Sequence, residues 1–140
     1  MRGRRTLRGM TVAAAFAIAF PTGRIAWAAD PSGVWLTETG TSRVRVAACG
    51  TGYCGTIVSA PGKALDAKNP DPSLRGRSVV GVRILDAPRG DGSGFAGTLY
   101  NPSDGKTYSG SLKLTGSNTL EVSGCVLAVL CKRQTWIRAD

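Results

Sequence analysis

The sequence predicts an all-β domain, a small antiparallel up-and-down β-barrel of about eight strands. Short segments with period-two alternation or β-branched content recur from residue 33 to 138, and tight-turn residues separate them. No sustained helical period interrupts the series, apart from a single turn expected near Pro72-Ser73-Leu74-Arg75. Strands joined mainly by hairpins can remove their exposed edges by closing into a barrel, which then either fills its interior or holds one small ligand. A two-sheet sandwich is the alternative.

The strands are expected at 33–38, 43–48, 53–59, 79–86, 94–100, 106–114, 119–124 and 133–138. In the second, Val44, Val46 and Ala48 share the inward face while Arg43 and Arg45 face water. Thr56, Ile57 and Val58 give the third its β-branched character, and Val79-Val80 restart the sheet after a long connection. Turn residues follow: Asp91-Gly92 ahead of the fifth segment, then Asn101-Pro102 with Asp104-Gly105 after it. The sixth places Leu112 and Leu114 inward around Lys113, Gly116-Ser117-Asn118 turns the chain, and the seventh places Leu120 and Val122 inward around Glu121.

Ahead of the domain, four arginines in MRGRRTLRGM precede an uncharged stretch, Pro21 and the small-residue pattern Ala26-Trp27-Ala28. This predicts a signal peptide over 1–28, cleaved near Ala28 and leaving one β-barrel domain over 29–140 in the periplasm or secreted. The apolar stretch falls short of the roughly 20 residues that span a bilayer, so no transmembrane segment is expected in the mature chain. Arg4-Arg5 leaves Sec and twin-arginine export both open. Cleavage removes five of the eighteen basic residues and none of the nine acidic ones, so the formal charge falls from +9 to +4. The remaining basic residues are dispersed, without a stripe of cations and aromatics, which argues against nucleic acid.

Cys49 and Cys54 flank GTGY, and Cys125 and Cys131 flank VLAVL. Each pair straddles a short turn, so we expect Cys49 bonded to Cys54 and Cys125 to Cys131, at about 2 kcal/mol each on the chain-entropy model. The rival is a zinc site with four thiolate ligands. Its usual spacings are shorter, and the chain has no histidine. No metal and no cofactor are expected, and the expected state is a monomer, with a dimer left open.

The longest connection, 65–78, carries Asp66, Asn69, Asp71, Leu74, Arg75 and Arg77 between Pro70, Pro72 and the next strand. It reads equally as an irregular cap with solvated arginines or as a loop facing a ligand or partner. Asp66 and Asp71 beside Arg75 and Arg77 suggest an ion-pair network rather than a proton-transfer couple. Without histidine the serines lack a base, so no enzyme is expected. Val126, Leu127, Val129 and Leu130 form an apolar hairpin tip, which either folds over the barrel mouth and completes the core or stands as a hydrophobic rim.

Gly33-Val34-Trp35, the run Asp66-x-x-Asn69-Pro70-Asp71-x-x-Leu74-Arg75-Gly76-Arg77, Gly81, Asn101-Pro102-x-x-Gly105-Lys106-x-Tyr108 and Gln134-Thr135-Trp136 together resemble the exported bacterial family known as domain of unknown function 2147. The resemblance covers nearly all of 30–139 and implies a periplasmic, lipocalin-like (calycin-like) barrel with no established activity. Ser78 departs from it, because members often have proline there, and the four cysteines are not expected of every member. The lipocalin-type pattern also implies that Gly33 and Trp35 close the narrow end under an arginine of the last strand. Arg138 is the expected partner and Arg133 the second choice, with Trp136 in the core. A guanidinium over an indole is worth about 0.5 to 2 kcal/mol.

These readings converge on a non-enzymatic exported barrel that binds a small apolar or amphipathic ligand. The alternative is a cell-envelope structural or protein-interaction module with a filled interior, recognising an envelope protein through 65–78.

Overall fold

The structure is a computed structural model that describes residues 16–20, 29–90, 92–127 and 129–140. Most of the expected signal peptide, including its cleavage site, lies outside the described residues, as do Asp91 of the Asp91-Gly92 turn and Ala128 of the apolar tip. Among the described residues the strands are β1 (Gly33–Leu36), β2 (Arg43–Cys49), β3 (Gly52–Ser59), β4 (Arg83–Gly90), β5 (Phe95–Asn101), β6 (Lys106–Leu114), β7 (Thr119–Val126) and β8 (Leu130–Arg138). Each pairs antiparallel with the next, and β8 returns to β1 through Trp35 opposite Arg138 and Leu36 opposite Ile137. The sheet is thus a closed up-and-down barrel, which excludes the sandwich. The one expected helical turn is a short 3-10 helix, Pro72–Leu74.

Alternation builds the interior as the pattern requires. Val44, Val46, Leu112, Leu120 and Val122 are buried, and Arg43, Arg45 and Lys113 are exposed. Ala48 keeps the face of Val44 and Val46, opposite Tyr53, but is exposed, because β2 runs on past Val46, its last buried position, into the hairpin closed by Cys49–Cys54. The fourth strand begins at Arg83 rather than 79. Gly81 adopts φ +95°, and Val82 N–H donates to the Val79 carbonyl at 3.1 Å, so 79–82 forms a turn. That turn hooks onto the end of β3 through Gly81 N–H to the Ile57 carbonyl and Ile57 N–H to the Val82 carbonyl, which buries Val79 and Val82 without a ladder. In β4 an irregularity opposite Gly55 and Thr56 lets consecutive residues Ile84 and Leu85 both turn inward.

One end of the barrel is closed. Trp35 is 0% exposed, its indole N–H donates to the Pro31 carbonyl at 2.9 Å, and the Arg138 guanidinium carbon lies 4.3 Å from its ring centroid. Arg138 also donates to the carbonyls of Ser117 and Ser32, each at 3.0 Å, and pairs with Asp140 at 3.7 Å. Gly33 makes this clasp possible: its φ is +142°, and a Cβ there would strike the guanidinium. Arg133 faces outward opposite Ser123 and is exposed, so the arginine over the indole is Arg138.

The disulfides pair Cys49 with Cys54 and Cys125 with Cys131. They belong to the β2–β3 and β7–β8 hairpins, which an up-and-down barrel places at opposite ends. The four sulfurs therefore cannot meet at one zinc ion. Two disulfides fit an oxidising compartment. Among the described residues no helix is long and apolar enough to cross a membrane.

Candidate functional site

The end opposite the Trp35 clasp carries the β1–β2, β3–β4, β5–β6 and β7–β8 connections, and between them opens a cavity of about 700 Å³. Its floor is apolar: Val44, Ile57, Ile84, Leu99, Val122 and Trp136. Its upper wall is mixed, with Thr37, Thr39, Thr41 and Ser42 on one side and Asp104, Tyr108, Lys132 and Gln134 elsewhere. The hollow exists because the closed half is packed by Trp35, Val46, Leu85, Leu112 and Leu120, none of which lines it.

The long connection forms part of the mouth, and its chemistry turns inward on itself. Asp66, 0% exposed, accepts hydrogen bonds from Tyr100 Oη at 2.5 Å, Asn69 Nδ2 at 2.8 Å and Arg77 Nε at 2.9 Å, and pairs with the second Arg77 nitrogen at 2.9 Å. Burial alone would raise its pKa. The donors Tyr100, Asn69 and Arg77 outweigh burial and hold the carboxyl below its ordinary range. Burial, followed by the bond to the Asp66 carboxylate, raises Tyr100. Asn69 Oδ1 accepts from the Asp71 N–H at 2.9 Å, and its carbonyl accepts from Arg75 Nε at 2.8 Å. Asp71 caps the 3-10 turn by accepting from Ser73 N–H and Oγ, and these bonds lower its pKa. Leu74 is half-buried on that turn. Ser78 Oγ accepts from Val80 N–H at 3.1 Å, so a side-chain turn holds the corner where members often have proline.

The segment is therefore a braced strap. The structure joins Asp66, Asn69 and Arg77 around one carboxylate, ties Arg75 to the same corner, and leaves Asp71 and Leu74 on a separate turn. Asp66 does not line the cavity; Ala64, Leu65 and Val79 are what this part of the chain presents to it. The second turn motif completes the wall. Gly105, at φ +71°, packs its α-carbon against the Lys68 carbonyl where any Cβ would collide, and Tyr108 Oη donates to Asp104. That bond lowers Asp104 and raises Tyr108.

The apolar tip stands clear of the core. Leu127, Val129 and Leu130 are 83%, 80% and 69% exposed, and Val126 is exposed as well. The core-completing account therefore fails: β7 and β8 pair as far as Val126 opposite Leu130, leaving three connecting residues, too few to fold back over the mouth. Val126 and Leu130 nevertheless edge the cavity. Sequence reasoning gave no site role to Tyr100, Tyr108, Lys132 or Gln134, although Tyr108 and Gln134 stand in the motifs that carry the family resemblance. The signal for Lys132 and Gln134 was present, because they share parity on β8 with Trp136, whose indole N–H donates to Gln134 Oε1 at 3.0 Å.

A family model described as "Uncharacterized protein conserved in bacteria (DUF2147)" matches residues 33–138, from the glycine of the clasp to its arginine. The chain belongs to this family. The DUF2147 barrel is also similar to a solved structure, protein HP1028 from the human pathogen Helicobacter pylori, described as belonging to the lipocalin family. The two share 26% identity at a TM-score of 0.70, over 79% of this chain and 84% of the other. Among curated proteins none matches this DUF2147 chain.

Proposed function

We propose that this protein is an exported, non-enzymatic binding module that takes a small apolar or amphipathic molecule into the mouth of its barrel. The cavity carries this reading. Its volume of about 700 Å³ falls among ligand pockets of roughly 300–1,000 Å³, and an apolar floor under a few polar groups is their usual lining. An eight-stranded barrel is just wide enough for side chains to fill, so space of this size counts against the filled-barrel alternative. The likeness to a protein described as a lipocalin supports the same reading. The strap at 65–78 spends Asp66, Asn69 and Asp71 on internal hydrogen bonds and leaves only the exposed cations Lys68, Arg75 and Arg77 to a partner, less than the alternative needs.

Gly124 supplies the test. It lines the cavity, and a Cβ there would lie 3.2 Å from Leu99 Cδ2, the far end of a side chain that can give way. Gly124→Leu should project into the hollow while leaving the ladder intact. A hydrophobic fluorescent probe should bind the wild type and quench or shift the emission of Trp136. The leucine variant should bind about tenfold more weakly, the equivalent of losing about two buried methylenes, at a nearly unchanged melting temperature. Equal probe binding by both would remove the cavity from the account. Export is checked separately by the intact mass of protein recovered from the periplasm, which should begin close to Ala29 with four cysteines oxidised.

A further inference from the structure

The inward row of β8 descends from the mouth as Leu130, Lys132, Gln134 and Trp136, and all four line the cavity. Its outward row is Cys131, Arg133, Thr135 and Ile137. A cation needed only for solubility would suit the outward row, where Arg133 already stands. Lys132 instead has its Cα two residue pairs inside the Val126–Leu130 pair of the apolar tip, and about 13 Å of strand separates it from Trp136 at the floor. Opposite it on β7 is Gly124, and opposite Gly124 on β6 is Gly110, so the wall beside its aliphatic stem carries no side chain at that level.

Charge gives this position its meaning. The ion pairs among the described residues are Arg77 with Asp66, Arg83 with Asp86 and Arg138 with Asp140, and Lys132 is in none of them. The other ionisable groups lining the cavity are Asp104, Tyr100 and Tyr108. Asp104 is already satisfied, with Oδ2 accepting from Tyr108 and Oδ1 from Lys106 N–H at 2.9 Å. Tyr100 donates to Asp66. Both Asp104 oxygens are thus engaged by hydrogen-bond donors, whereas the Lys132 ammonium, exposed at the mouth above the apolar floor, has no ion-pair or hydrogen-bond partner among the described residues. A ligand that excludes water there would strand the ammonium, unless it brings an acidic group of its own.

We propose that Lys132 is the headgroup subsite of the cavity and that the ligand is a single-chain amphiphile with one acidic head, of the long-chain carboxylate type. The head pairs with Lys132 Nζ at the mouth, and the chain runs down the inward face of β8 toward Trp136, Val122 and Ile57. This rests on the cavity reading above and adds the chemical class of its occupant.

The experiment compares three twelve-carbon probes on the full oxidised protein: dodecanoate, dodecanol and dodecyltrimethylammonium, each displacing the same fluorescent probe. Dodecanoate should bind about tenfold more tightly than dodecanol, and the gap should narrow as salt is raised. Lys132→Met should bring dodecanoate down to dodecanol and leave dodecanol unchanged, and Lys132→Arg should keep the preference. Equal binding of acid and alcohol by the wild type, or a preference that survives Lys132→Met, overturns the headgroup assignment and leaves the cavity reading standing. Tighter binding of the ammonium probe overturns it in favour of Asp104. Failure of all three to bind refutes the cavity reading and this assignment together.

Discussion

Replacing Trp35 by alanine should lower the unfolding free energy by about 4 kcal/mol, the largest loss expected from any single substitution in the barrel. The residue is the largest fully buried side chain, and three things depend on it. Its ring fills the closed half of the interior, its N–H satisfies the Pro31 carbonyl, and its face supports the Arg138 guanidinium, which also holds Ser32 and Ser117. Truncation leaves a void that the closed barrel cannot collapse around, since each strand is fixed by neighbours on both sides. Urea unfolding of oxidised protein measures the loss. A double-mutant cycle with Trp35→Phe and Arg138→Met isolates the contact between the two, expected at about 0.5 to 2 kcal/mol. A loss below about 1.5 kcal/mol for Trp35→Ala would mean that the clasp does not close the barrel. Probe binding by the folded fraction should be unchanged, because Trp35 does not line the cavity.

How much of this could be read from the sequence depends on how local each feature is. Val44 and Val46 between arginines, or Leu120 and Val122 around Glu121, declare their faces within a few residues, so strands and closure followed. The cystines were legible for the same reason: five or six residues across a hairpin leave little choice of partner. Val79-Val80 misled because β-branched valines suit a strand, while the turn is decided by the positive φ of Gly81, two residues on. Tyr100 was invisible as the partner of Asp66, since nothing near residue 100 announces a contact with residue 66. The cavity was hidden too, because alternation says which side chains point inward and not whether they fill the space between them. Lys132 and Gln134 were the exception: polar residues in step with a buried tryptophan mark a wall that meets water or a ligand.

Asp66→Ala should cost about 3 kcal/mol, and the loss should depend on pH. Removing one partner of a buried ion pair costs roughly 3–5 kcal/mol, and the lower end applies because Arg77, its side chain 40% exposed, can return to water. Tyr100 and Asn69 would still lose an acceptor, at about 1 kcal/mol each if left unsatisfied. The folded pKa of Asp66 lies below that of the unfolded chain, about 3.9, so its contribution is complete above that value and fades as pH falls through the folded pKa. Urea midpoints of wild type and Asp66→Asn should run parallel from pH 7 to about 5 and converge below about 4. Profiles that stay parallel to pH 2 would show that the carboxylate is not the acid-labile brace. Tyr100→Phe removes one donor and should move the convergence to higher pH at a cost of about 1 kcal/mol. The same network holds Ala64, Leu65 and Val79 at the cavity mouth, so Tyr100→Phe should also quicken release of a bound amphiphile while leaving its headgroup preference intact. Loss of that preference would instead tie the strap to Lys132, across the mouth from it.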